Sequence, residues 1–182
     1  SLLESSCPFI TEKLGEMEIE SIQPYEMLSA LPESARKRFY DMAGFDYDEF
    51  AALFDASPKK NLVIIGTSHG SEESARQQRD YVARIVEQYG EGYDIFFKPA
   101  DTSSAGYEIE FPGLTLLPGQ MPFEIFVWAL IDRVDMIGGY PSTVFLTVPL
   151  DKVRFIFAAN AESMARPLNI LFRDATDVEW MQ

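Results

Sequence analysis

Apolar and polar positions fall into two regimes along the chain. Up to about residue 60 the spacing is helical. In "YEMLSALPESARKRFYDMAGFDYDEFAALF", Tyr25, Leu28 and Leu31 are placed to share a face. Pro32, Glu33 and Ser34 read as a helix start and Ala43-Gly44 as its end, and Asp46 to Phe54 repeats the pattern as a short helix. "DASPKKN" is a polar connector.

Beyond it, short apolar runs alternate with amphipathic ones. "NLVIIG" predicts a buried strand, and "SEESARQQRDYVARIVEQYG" a helix with Tyr81, Val82, Ile85, Val86 and Tyr89 on its apolar side. "YDIFFK" is a second strand and "GLTLLP" a short third. "PFEIFVWALI" has Phe123, Phe126, Val127 and Leu130 at helical spacing. "VDMIGG" and "KVRFIFA" are strands flanking a helical turn, "PSTVFLT", with Pro141 at its first position. The alternation predicts an α/β fold: a Rossmann-like, mostly parallel sheet with flanking helices, preceded by short helices.

Composition narrows the chemistry. The 182 residues are 47% hydrophobic, enough for a domain with its own core. No run approaches the roughly 18 apolar residues of a membrane helix, and no leader pattern is visible. Ser1 opens the sequence, as in a piece or processed form of a longer protein. The formal net charge of −14 repels phosphate backbones, so nucleic acid is not an expected partner. Cys7 is the sole cysteine and His69 the sole histidine. That gives no zinc spacing, excludes an intrachain disulfide and leans towards the cytoplasm, with peripheral placement at the inner membrane face as a further expectation.

In a parallel sheet, ligands bind beyond the C-terminal ends of the strands. Four segments qualify: "GTSHG", "KPADTSS", "PGQMPFE" and "GGYPST". Gly66, Thr67 and Ser68 follow the first strand without forming a P-loop or a GxGxxG motif. His69 beside them reads more readily as a satisfied loop histidine. Lys98 ends the second strand, either to meet a phosphate or as a solvated strand end. Glu124 either accepts from a ribose diol or complements a helix dipole. Ser142 and Thr143 either offer hydroxyls to a phosphate beside free N–H groups, with two glycines letting a ligand approach the backbone, or Ser142 merely caps a helix and the glycines only turn the chain.

Taken in order, "YDIFFK", "MPFEIFVWALI" and "GGYPSTVFLTVPLDKVRFIF" resemble the C-terminal, donor-binding half of bacterial sialyltransferases of glycosyltransferase family 80, and more distantly family 52. The resemblance spans about residues 61–157. It implies one half of a GT-B fold, with residues 1–60 a helical connecting region and 61–182 a Rossmann-like nucleotide-sugar-binding domain. It implies a donor such as CMP-sialic acid, held without metal or other cofactor. Glu124 matches the family's ribose-binding glutamate, Ser142 and Thr143 its phosphate-binding serines, and Gly66, Thr67 and Ser68 its pocket loop, with Lys98 alongside. The glycan acceptor and the acid/base carboxylate belong to an N-terminal domain, so no catalytic residue is expected in this chain. Where the family has a histidine after its strand-ending lysine, this sequence has Lys98-Pro99-Ala100-Asp101. That departure opens an alternative, a non-catalytic nucleotide-binding or regulatory module of the same fold.

Overall fold

Alternation along the first strand sorts its side chains to two faces, and the fold is built on that division. The computed structural model describes residues 24–100 and 106–182. Strands β1 (Lys60–Ile65), β2 (Tyr93–Lys98), β3 (Leu114–Leu116), β4 (Met136–Gly139), β5 (Val153–Ile156) and β6 (Glu179–Trp180) form one sheet in the order β3-β2-β1-β4-β5-β6. Every pairing in it is parallel. The order reverses between β1 and β4, where β1 starts one series outward to β3 and β4 another outward to β6. Such a reversal leaves a crevice at the C-terminal edge, because the connections on either side leave in opposite directions.

Val63, Ile65, Phe96, Ile137, Val153 and Ile156 face one core. Helices α1 (Pro24–Ala30), α2 (Glu33–Ala43), α3 (Tyr47–Phe54) and α6 (Phe123–Leu130) cover that face. Leu62, Ile64, Ile95, Phe97, Leu114 and Phe155 face the other. Helices α4 (Glu72–Tyr89) and α5 (Tyr107–Glu110) cover it. Burial on both sides is why the strands read as continuous apolar runs.

Each long helix is set by its ends. Ser71 and Ser74 form a capping box at the start of α4, and the Asp46 side chain accepts from Glu49 N–H at 3.0 Å at the start of α3. Gly44 closes α2 at φ 66°, as its position after Ala43 predicts. The early helices are stitched to the sheet by aromatic rings. Phe54 stacks on Phe96 with centroids 4.0 Å apart and planes 4° from parallel, and Phe45 and Phe50 meet Phe126 edge-on at 5.3 and 4.7 Å. A buried phenylalanine with a ring partner contributes about 2–4 kcal/mol.

Three details differ from the pattern. Leu31 is exposed because α1 stops at Ala30, one residue short of the turn that would bring it inward. The turn in "PSTVFLT" is a 3-10 helix, Thr143–Leu146, with Ser142 as its N-cap, so Pro141 lies outside it rather than at its first position. At the C-terminal end, α7 (Leu168–Leu171) and β6 add elements that no periodicity announced. Among the described residues, no helix is long and apolar enough to cross a membrane.

Candidate functional site

Because all strands run in parallel, the segments after β1, β2, β3 and β4 emerge at one edge of the sheet. Adjacent strands lie about 4.8 Å apart, so β3 to β4 spans roughly 14 Å of rim. Along it stand Glu124 (after β3), Lys98 (at the end of β2), Gly66, Thr67 and Ser68 (after β1), and Ser142 and Thr143 (after β4).

The β1 segment is held from below. Gly66 donates its N–H to Lys98 O at 2.9 Å, and a Cβ on it would lie 2.6 Å from the Phe97 ring. Its lack of a side chain therefore serves the packing of β1 against β2. Thr67, half-buried, donates its N–H to Gln78 Oε1 at 2.9 Å, while Ser68 is exposed. Gln78 in α4 is only 2% exposed, and its Nε2 lies 2.9 Å from His69 Nε2 and 3.2 Å from Tyr107 Oη. One buried amide thus ties the β1 segment to α4 and to α5. Gln78 went unnoticed in the sequence, although it lies three and four residues before Tyr81 and Val82, on the apolar face of its helix.

Lys98 is not a solvated strand end. It is 5% exposed, and its ammonium donates to Pro99 O and Gly119 O, both at 3.0 Å. It therefore bolts the end of β2 to the segment before α6. Burial pushes its pKa down, and the carboxylate of Glu124 opposes that shift. Glu124 is half-buried in the first turn of α6. A buried cation and a neighbouring carboxylate thus sit together at the β2–β3 side of the rim. Ala100 is exposed, while Asp101 lies outside the described residues.

On the β4 side, the space that a Cβ would take at either glycine is already filled by the protein. A Cβ at Gly138 would lie 2.4–2.5 Å from ring atoms of Phe155, and one at Gly139 would lie 2.2 Å from Ile65 O. Gly139 also has φ 130°, which disfavours any side chain. The lack of side chains at these two positions therefore serves packing against a ring and a neighbouring strand. Tyr140 N–H donates to Ile65 O at 2.9 Å and Phe157 N–H to Gly139 O at 2.9 Å, which seats this turn on its neighbours. Ser142 Oγ accepts from Val144 N–H at 3.3 Å, capping the 3-10 turn, and Thr143 is exposed. Capping uses an oxygen lone pair and leaves the Ser142 hydroxyl proton free to be donated.

Two cavities lie away from this rim. One, of about 660 Å³, is bordered by Tyr40, Tyr47, Trp128 and Arg133 near the N-terminal edge of the sheet. The other, of about 560 Å³, is bordered by Asn160, Asn169, Phe172 and Trp180. None of the candidate ligand-binding residues read from the sequence lines either one. Among the described residues, no group of three or more His, Cys, Asp or Glu is placed to hold a metal ion.

No protein-family model matches the sequence. No curated protein matches it either. Solved structures do. The GT-B domain of a sialyltransferase from Photobacterium damselae matches with a TM-score of 0.76 at 22% identity, over 100% of this chain and 54% of that one. The α/β-galactoside α-2,3-sialyltransferase of Photobacterium phosphoreum, a luminous marine bacterium, matches at 0.72 and 23%, over 98% and 51%. A 2,6-sialyltransferase of a Photobacterium species, in a ternary complex with the donor product CMP and the acceptor substrate lactose, matches at 0.60 and 17%, over 86% and 36%. The chain spans about half the length, or less, of the structures it matches. Likeness at this identity speaks for architecture: the chain has the Rossmann-like α/β fold found in the GT-B domain of sialyltransferases.

Proposed function

We propose that this chain is the donor-binding domain of a sialyltransferase-like glycosyltransferase and holds a CMP-sugar at the C-terminal rim of its sheet. The observation that carries the reading is the order of polar groups along one rim of a sheet whose strand order reverses between β1 and β4. In this reading Glu124 accepts from the ribose hydroxyls. Ser142 donates its free hydroxyl proton to the phosphate while still capping its turn, and Thr143, exposed beside it, offers a second hydroxyl. Gly66, Thr67 and Ser68 form the floor of the nucleotide pocket. The Lys98 ammonium lies beneath, a buried positive charge that favours an anionic ligand above it. A neighbour's complex with CMP and lactose supports a donor of this class, and a glycan acceptor for the whole protein.

A second reading is favoured by Ala100. A leaving phosphate gains negative charge as the glycosidic bond breaks, and a donor there stabilises the transition state. The exposed methyl of Ala100 donates nothing. This observation supports a nucleotide-binding or regulatory module without transfer chemistry.

Calorimetric titration with CMP, CDP, UMP and UDP tests the first reading. CMP binds most tightly, and Ser142→Ala with Thr143→Ala weakens it by roughly 10- to 100-fold. Absence of CMP binding, or parental affinity in the double variant, overturns the reading. Donor hydrolysis with and without Ala100→His separates the two. A gain of roughly 10²–10³ in rate supports the enzyme, because that is the usual worth of one such donor. Unchanged hydrolysis at unchanged affinity supports the module.

A further inference from the structure

The contacts of Gln78 fix more than the position of a loop. The Thr67 N–H can only donate, so the atom of the Gln78 amide 2.9 Å from it is the oxygen. The amide NH₂ must then face His69 Nε2 at 2.9 Å and Tyr107 Oη at 3.2 Å. That NH₂ can only donate as well. His69 Nε2 is therefore an acceptor, and the ring proton sits on Nδ1. Nδ1 is buried and, among the described residues, has no hydrogen-bond partner. A buried donor without an acceptor is costly, and native structures rarely keep one without a reason. His69 lies between β1 and α4, on the central segment of the rim.

We propose that His69 is a ligand-binding residue whose Nδ1–H donates to an oxygen acceptor of the bound nucleotide, and that Gln78 is the positioning residue that sets its tautomer. The proposal rests on the nucleotide-binding reading above. Gln78 acts through His69 and never touches the ligand. By holding Thr67, His69 and Tyr107 together, it makes the segments after β1 and β2 a single platform. The histidine needs no change of tautomer to donate, because its proton is already on the unpaired nitrogen, and binding has only to uncover that nitrogen. The ligand supplies the acceptor that the described residues do not provide.

His69 is the chain's only histidine, so its ring ¹⁵N signals need no assignment. Long-range ¹H–¹⁵N spectra of the chain are expected to show Nδ1 protonated and Nε2 bare. Titration with CMP shifts the Nδ1 signal along a curve that saturates at the calorimetric dissociation constant. Gln78→Leu populates the other tautomer. His69→Ala loses about tenfold in CMP affinity, while His69→Asn, whose amide N–H replaces Nδ1–H, keeps most of it. An Nε2–H ring in the parent overturns the proposal. So does CMP saturation that leaves the His69 signals unmoved, an outcome that leaves the nucleotide reading intact. Absence of CMP binding by calorimetry overturns that reading and this assignment with it. The spectra of the parent need no substitution, so a Gln78→Leu chain that fails to fold does not weaken the test.

Discussion

Placing a methyl group on either glycine of "GGYPST" separates two explanations for the pair. If the glycines serve packing, Gly→Ala costs stability. If they serve ligand approach, it costs affinity and leaves stability alone. At Gly139 a Cβ would meet Ile65 O, N and C at 2.2, 2.6 and 2.9 Å. These are backbone atoms of β1, which pairs with β2 on one side and β4 on the other, so they cannot yield without breaking a ladder. The φ of 130° adds about 1–3 kcal/mol of backbone strain, and overpacking a further 1–3. Gly139→Ala is thus expected to cost about 2–6 kcal/mol, a large share of the 5–15 that holds a typical domain. At Gly138 the obstacle is the Phe155 ring, a side chain that can be shortened. Gly138→Ala costs roughly 1–3 kcal/mol, and adding Phe155→Leu recovers part of it, giving a coupling of about 0.5–3 kcal/mol. Urea unfolding at constant slope measures each value, and CMP titration of the same variants measures the rival effect. Parental stability in Gly139→Ala with CMP binding lost would refute the packing argument. Rescue of Gly139→Ala by Phe155→Leu would refute the assignment of its clash to the backbone of β1.

Two further outcomes follow from packing and charge. Burial, and then the neighbouring Tyr81 and Tyr107, push the Tyr140 phenol from its usual 10.0 up to about 12. Between pH 10 and 12 the unfolded chain therefore releases a proton that the folded one keeps, so this stabilisation is complete below pH 10 and is lost as pH rises to 12. Tyr140→Phe should remove roughly 2–3 kcal/mol of the alkaline loss, read as a flatter stability curve above pH 10; an unchanged curve would count against it. Phe54→Ala removes a ring that is 2% exposed and stacked on Phe96, and should cost about 3–5 kcal/mol by thermal or urea unfolding. A loss below about 1 kcal/mol would mean that α3 is not bound to the sheet through this ring.

Much of the architecture could be read from the sequence because burial on both faces leaves a strong mark. "NLVIIG" and "YDIFFK" are uninterrupted apolar runs, and the stripe on α4 spans an 18-residue helix. Elements of two and four residues, such as β6 and α7, leave no period to detect and are set by what they pack on. At the rim, residue type and order were visible but direction was not. Nothing local says that Lys98 turns inward to the carbonyls of Pro99 and Gly119, because the Gly119 carbonyl is brought there by the chain beyond β3. Gly138 and Gly139 carried the right residue for a different neighbour: spacing cannot tell a ligand from the ring of Phe155 or the backbone of Ile65. Gln78 and His69 form their pair only when α4 folds back over the end of β1.

The sheet is widest at its centre and tapers outward. β1 and β2 run six residues, whereas the outer strands β3 and β6 have three and two. An exposed strand is a template on which another chain can add its own, and the hazard grows with the length of the unpaired edge. Parallel sheets add to it, because their distant pairings form slowly and leave strands uncovered during folding. Here each margin offers only a residue or two of unpaired backbone, too little to register a visiting strand. The taper thus acts as a guard against self-association, and lengthening β6 with β-branched residues would remove it without disturbing a single group at the rim.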